Sequence, residues 1–178
     1  TFFDKAIALA AAGAELYQRG WVPATSGNFS LRLDSDSALV TASGKHKGQL
    51  GPTDFIAVDF DGAALSDGKP SAETLLHSAL YRRFADLGAV LHCHSATATI
   101  LSRLHARDGK ITLRDYELLK AFPNIDSHAT SVDIPIFANT QDIAELAIEV
   151  DQYLQELQRY LDKKKFYPRQ ARRLRHHG

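Results

Sequence analysis

The chain has 178 residues, 44% of them hydrophobic and 24% charged, which suits one domain with a buried core and leaves little room for two. This composition excludes wholesale disorder, and no run approaches the ~18 consecutive apolar residues of a membrane-spanning helix. Net charge is zero, yet seven of the 21 Lys and Arg and only one of the 21 Asp and Glu fall within residues 162–178. A net-acidic domain over 1–161 is therefore expected to carry a basic tail over 162–178. Without a recognised nucleic-acid motif that tail reads as solvated, so neither nucleic acid nor membrane is an expected partner.

The single cysteine, Cys93, cannot close an internal disulfide, which points to a reducing compartment and, with no leader-like N-terminus, to the cytoplasm. Met occurs nowhere, position 1 included, so the natural start is expected to lie outside this sequence.

In chain order, Ile7, Ala10, Ala11 and Ala14 recur at helical spacing and Gly20 offers a stop, which predicts a helix over 4–19. Phe29, Leu31 and Leu33 alternate with Ser30, Arg32 and Asp34 as in a half-buried strand, and further strands are expected over 39–42 and 55–60. Asp61-Gly62 and Asp67-Gly68 mark turns. After Pro70, Ser71 reads as the N-cap of a second helix whose apolar face is Leu76, Ala79, Leu80 and Phe84, ending near Gly88. A short buried strand over 89–94 follows, then a helix over 96–104, a short helix over 115–121 and a strand over 132–137 in which Pro135 favours an edge. Ile143, Leu146, Ala147, Val150, Leu154, Leu157 and Leu161 repeat at threes and fours as a long amphipathic helix. The fold class is α/β, one mainly antiparallel sheet with helices packed on it.

Three features can carry chemistry. In His92-Cys93-His94, residues two apart on a strand share a side, so both imidazoles can reach one ion while Cys93 turns to the core. Hydrogen-bonded strand histidines are the alternative. Thr25-Ser26-Gly27-Asn28 and Thr41-Ala42-Ser43-Gly44 gather hydroxyls and glycines at strand boundaries, where backbone N–H groups can cradle a phosphate, although each alone also reads as a turn. Ser71 adds a hydroxyl at a helix start. Glu117 is a carboxylate beside an apolar run: buried, it would suit acid/base work, and on periodicity it reads as solvated. Glu73 is open between a helix first turn and a place facing the histidines.

Taken in order and spacing, Thr25-Ser26-Gly27-Asn28, Thr41-Ala42-Ser43-Gly44, Pro70-Ser71-Ala72-Glu73 and His92-Cys93-His94-Ser95 resemble the motif series of the class II aldolase/adducin family, over about residues 4–151. The resemblance implies a zinc site with His92 and His94 as ligands and Glu73 nearby as an accessory ligand. It also implies a phosphate site made by Ser26, Gly27, Asn28, Ser43, Gly44 and Ser71, and a homotetramer with the active site near a subunit boundary. Residues 20–28, 69–74 and 115–121 resemble the dehydratase branch of the family. That branch implies loss of water from a ketose 1-phosphate to give a diketone phosphate, with Glu117 as acid/base. A sugar-phosphate aldolase or epimerase, or a non-catalytic adducin-like binding domain, are the alternatives.

One family part has no match. The third zinc histidine is expected in a strand after the helix beginning near Gln141, and the sequence there continues as helix and basic tail. His176 and His177 do not sit in a strand-like context. An altered or truncated C-terminus, a third ligand from Glu73 or His128, or a member that has lost its metal each account for this.

Overall fold

A computed structural model describes the backbone over residues 1–173 and side-chain surroundings over 1–161; His176 and His177 lie outside the described residues. Strand β1 (Asn28–Arg32) reverses into β2 (Ser37–Thr41) through an Asx device. The Asp34 carboxylate accepts the Asp36 N–H at 2.9 Å and the Ser37 hydroxyl at 2.8 Å, mimicking a backbone turn. Strand β3 (Phe55–Asp59) pairs outside β2, with Thr41 opposite Phe55. Strand β4 (Ala89–His92) pairs on the other side of β1, giving the order β3-β2-β1-β4, every pairing antiparallel.

Helix α1 (Phe2–Gln18) covers one face of this sheet, where Ala6 and Leu9 meet Phe29, Leu39 and Phe55. Its N-terminus is closed by a capping box between Thr1 and Asp4, which satisfies otherwise free N–H groups. Helix α2 (Thr74–Arg83) lies on the opposite face, with Tyr81 among Ala38, Val40, Ile56 and Val58. Helix α3 (Ala96–Leu104) follows β4 and buries no residue. Strands β5 (Lys110–Arg114) and β6 (Ser131–Pro135) form a separate antiparallel ribbon. Helix α4 (Ile143–Arg173) runs across the 161/162 division expected from composition. Among the described residues no helix is long and apolar enough to cross a membrane.

The α/β class and the antiparallel sheet agree with expectation, and several details do not. The buried stripe of α1 is Ala6, Leu9 and Gly13, while Ile7 stays 49% exposed; in an alanine-rich helix more than one stripe satisfies the spacing. Ser71 is not the N-cap of α2. That position is Glu73, and the Ser71 hydroxyl instead donates to the Thr41 carbonyl at 2.7 Å. The inward face of α2 is Thr74, His77, Ser78, Ala79 and Tyr81 rather than Leu76, Leu80 and Phe84. Ser30, expected to face solvent, is fully buried because the sheet is covered on both faces. Strand β4 is a half-exposed edge strand rather than a buried one, and it ends at His92. Among the described residues two sheets replace one, because β5 also pairs: Ile111 and Leu113 alternate with Lys110, Thr112 and Arg114.

Phe29 is fully buried at the centre of the α1 face. Phe29→Ala is expected to cost about 3–5 kcal/mol of unfolding free energy through lost burial and the cavity left behind. Urea titration reads this as a lower midpoint at an unchanged slope.

Candidate active site

The register of β1 against β4 sets Asn28 directly opposite His92. The loop before β1 must therefore lie against the end of β4, and Gly27 permits this. Its φ is +75°, and a Cβ there would lie 2.5 Å from the His92 carbonyl oxygen and 2.8 Å from Val22 Cγ1. Only glycine takes that conformation without strain at that separation. The chain continues past His92 with the His94 N–H donating to Trp21 O at 2.7 Å, and the His92 and His94 rings lie with centroids 4.7 Å apart. Both imidazoles thus share one side although the strand ends at His92, and Cys93 packs against the core as expected. Burial raises the Cys93 thiol pKa.

Glu73 comes to the same place from the start of α2. Its Oε2 lies 3.9 Å from His92 Nδ1 and accepts a hydrogen bond from Asn28 Nδ2. Burial lowers the His92 pKa, with the Glu73 carboxylate opposing and the charges of His94 and Lys47 adding to the lowering. Asn28 is 2% exposed, and its Oδ1 is the buried side-chain oxygen without a hydrogen-bond partner among the described residues.

Asn28, Glu73 and His94 border a cavity of about 250 Å³, and His92 is not part of its lining. It is lined by Ser26, Gly27, Asn28, Ser43, Gly44 and Ser71, the whole expected phosphate set, together with Glu73 and His94. Two of the hydroxyls are already engaged: Ser26 Oγ donates to Pro23 O at 2.6 Å and Ser71 Oγ to Thr41 O. Lys47 also lines the cavity, and pattern reading does not reveal it. A lysine within Lys45-His46-Lys47 reads as solvated, whereas Lys47 is 1% exposed, its ammonium on the Thr25 and Lys45 carbonyls, each at 2.8 Å.

Glu117 stands elsewhere. It begins a 3-10 turn over Glu117–Ala121 rather than a helix over 115–121, because Asp115 has a φ of +57°. Its side chain is 70% exposed, with Oε2 2.6 Å from Lys120 Nζ and Oε1 3.0 Å from His128 Nδ1. It does not line the cavity, so the solvated alternative describes it within one chain. His128 is likewise committed to Glu117.

Two imidazoles and a nearby carboxylate have the donor chemistry that zinc accepts. Among the described residues, however, no three His, Cys, Asp or Glu side chains converge closely enough to hold a metal ion. Glu73 and His128 therefore do not complete a three-ligand set with His92 and His94 in this geometry.

Behind the cavity, α2 and β1 share a buried polar cluster. Ser30 Oγ lies 2.6 Å from His77 Nδ1 and 2.8 Å from the Tyr81 hydroxyl, which satisfies polar groups that would otherwise be costly to bury.

The family model for the class II aldolase and adducin N-terminal domain matches residues 7–178, and the chain belongs to that family. It is 52% identical over 153 residues to the methylthioribulose-1-phosphate dehydratase of Methylococcus capsulatus, covering 86% of this chain and 74% of that protein. With the enzyme of the same name from Alcanivorax borkumensis it shares 55% identity over 153 residues, covering 86% and 72%. Among solved structures it resembles the L-fuculose-1-phosphate aldolase of Thermus thermophilus at a TM-score of 0.65 and 28% identity, covering 86% of this chain and 72% of that one.

Burial pushes the His77 pKa from 6.5 down to about 4, and the charge on His92 acts in the same direction. Unfolded chains take up this proton near 6.5 while the folded chain refuses it until about 4. The His77 contribution to stability is thus fully present above 6.5 and drains away as pH falls toward 4. Unfolding titrations across that window are expected to show stability dropping more steeply with acid in the wild type than in His77→Gln; equal slopes would remove His77 as the source.

Proposed function

We propose that this chain is a zinc-dependent hydro-lyase that converts methylthioribulose 1-phosphate to a diketone phosphate and water, a step of methionine salvage in the cytoplasm. One observation carries this reading. Four segments far apart in sequence meet at one cavity, in a chain more than 50% identical to dehydratases of that name over most of its length.

His92 and His94 would hold the metal, with Glu73 as the neighbouring carboxylate. When bound, zinc would supply a Lewis acid for the substrate carbonyl. The chain's own groups do the rest. Ser26, Gly27, Asn28, Ser43, Gly44 and Ser71 bind the phosphate and thereby orient the reacting carbons. Asn28 Oδ1, buried without a partner, is an acceptor for a substrate hydroxyl. Glu117 moves the proton from carbon to the departing hydroxyl, which leaves as water.

Glu117 lies outside the cavity lining of its own chain, which fits a site completed at a subunit boundary, so we assign a homotetramer. Exposed Leu91, Ile100, Leu104 and Leu118 supply apolar surface for such an assembly. Sedimentation is expected to show the tetramer; a monomer at all concentrations would reject it.

Zinc-loaded protein given methylthioribulose 1-phosphate is expected to release the diketone phosphate. A folded, loaded sample that leaves it intact but cleaves fuculose 1-phosphate would assign the chain to the aldolases instead. Glu117→Gln is expected to lower turnover roughly 10²–10⁴-fold with metal content unchanged. His92→Ala or His94→Ala should lose metal and activity together. Near wild-type turnover in Glu117→Gln would remove Glu117 from the proton-transfer role.

A further inference from the structure

Lys47 is one of the largest fully buried side chains, and charged groups are rarely buried so completely. The cause is local. Helix α1 presses on the turn Lys47–Gln49 at Gly13, where a Cβ would lie 2.6 Å from the Lys47 carbonyl oxygen. The Lys47 N–H donates to Ala24 O at 3.0 Å. With its backbone held at both ends, the side chain runs inward and its Nζ reaches two carbonyls at 2.8 Å, Thr25 O and Lys45 O. Each carbonyl belongs to a different one of the two hydroxyl-and-glycine loops that border the cavity.

An ammonium has three N–H donors, and these two carbonyls use two of them. Carbonyl dipoles do not neutralise the charge. Glu73 is the acidic side chain lining the cavity and it already accepts from Asn28. Burial lowers the Lys47 pKa and the Glu73 carboxylate works against that. Among the described residues lining the cavity, Lys47 is the sole Lys or Arg. A buried cation with an unused donor, beside hydroxyls and glycine backbone, lacks only an anion.

We propose that Lys47 is the charge determinant of this cavity: its ammonium binds the phosphate of the substrate and selects phosphorylated sugars over neutral ones. The substrate's identity here rests on the dehydratase reading; the role of Lys47 toward phosphate does not.

The test is calorimetric titration of inorganic phosphate into the intact wild type, Lys47→Arg and Lys47→Met, with KM and kcat for methylthioribulose 1-phosphate measured beside it. Lys47→Met keeps the stem and removes the charge, so phosphate affinity is expected to fall roughly 10- to 100-fold, the loss of one charge-assisted hydrogen bond. KM should rise in step while kcat moves less, and Lys47→Arg should retain part of the affinity. Phosphate binding and KM like the wild type in a folded Lys47→Met would overturn the proposal. So would a lower melting temperature and kcat with KM unchanged, the pattern of a purely structural lysine. If Lys47→Met does not melt cooperatively, the wild type labelled with ¹⁵N at lysine decides. The ammonium resonance missing from Lys47→Arg must shift on adding phosphate, and an unmoved resonance overturns the proposal. Lys47-dependent phosphate binding without any dehydration would sink the dehydratase reading alone; dehydration without Lys47 dependence would sink this one alone.

Discussion

The Lys47 ammonium holds the carbonyls of Thr25 and Lys45 at one point, and the geometry around the cavity follows from that tie. The loop before β1 and the loop after β2 leave the sheet at neighbouring places because the two strands pair antiparallel. Strand pairing alone brings the loops near each other; it does not set their separation. A buried cation shared between them does, since its charge-assisted hydrogen bonds to the two carbonyls are stronger than those of a neutral donor. The same arrangement needs α1 to approach the Lys47 turn at Gly13, so a helix with no residue in the cavity still determines its shape.

The second layer of support is polar where a helix–sheet contact is usually apolar. His77, Ser30 and Tyr81 meet through hydrogen bonds in the interior. A leucine face can slide along a sheet by small steps at modest cost, whereas a hydroxyl, an imidazole and a phenol satisfy one another in one arrangement only. Arg32 adds to this from the end of β1. It donates to the carbonyls of Tyr81, Phe84 and Leu87 at 2.7 to 2.9 Å and lies over the rings of Phe60 and Tyr81. The C-terminal end of α2 is thereby closed by a side chain from the sheet, and Glu73 at its other end is aimed at His92.

Much of this was legible in the residues. The helices over 96–104 and from 143 onward, the three strands before residue 60 and the shared side of His92 and His94 all follow from periodicity. The four motifs in family order contain every described residue lining the cavity except Lys47. What escaped has physical causes. Burial of Lys47 depends on a contact with Gly13, 34 positions earlier, which no local pattern encodes. The polar inner face of α2 looks like a solvent face until both sides of the sheet are known to be covered. Ser71 has the residue type and setting of an N-cap, yet Thr41 competes for its hydroxyl and wins. The place of Glu117 is set by a backbone turn at Asp115 with positive φ, a conformation asparagine and aspartate tolerate but do not announce.

The β5–β6 ribbon consists of two five-residue strands, neither of which buries a residue. Two-stranded ribbons are marginal by themselves, so this one is expected to open in native-state hydrogen exchange below the global unfolding free energy. Residues 115–121 hang directly from the end of β5, while the cavity lining hangs from the four-stranded sheet. The chain thus distributes its packing unevenly: the cavity lining rests on a sheet covered by helices on both faces, and the segment that carries Glu117 follows a ribbon that buries no residue of its own.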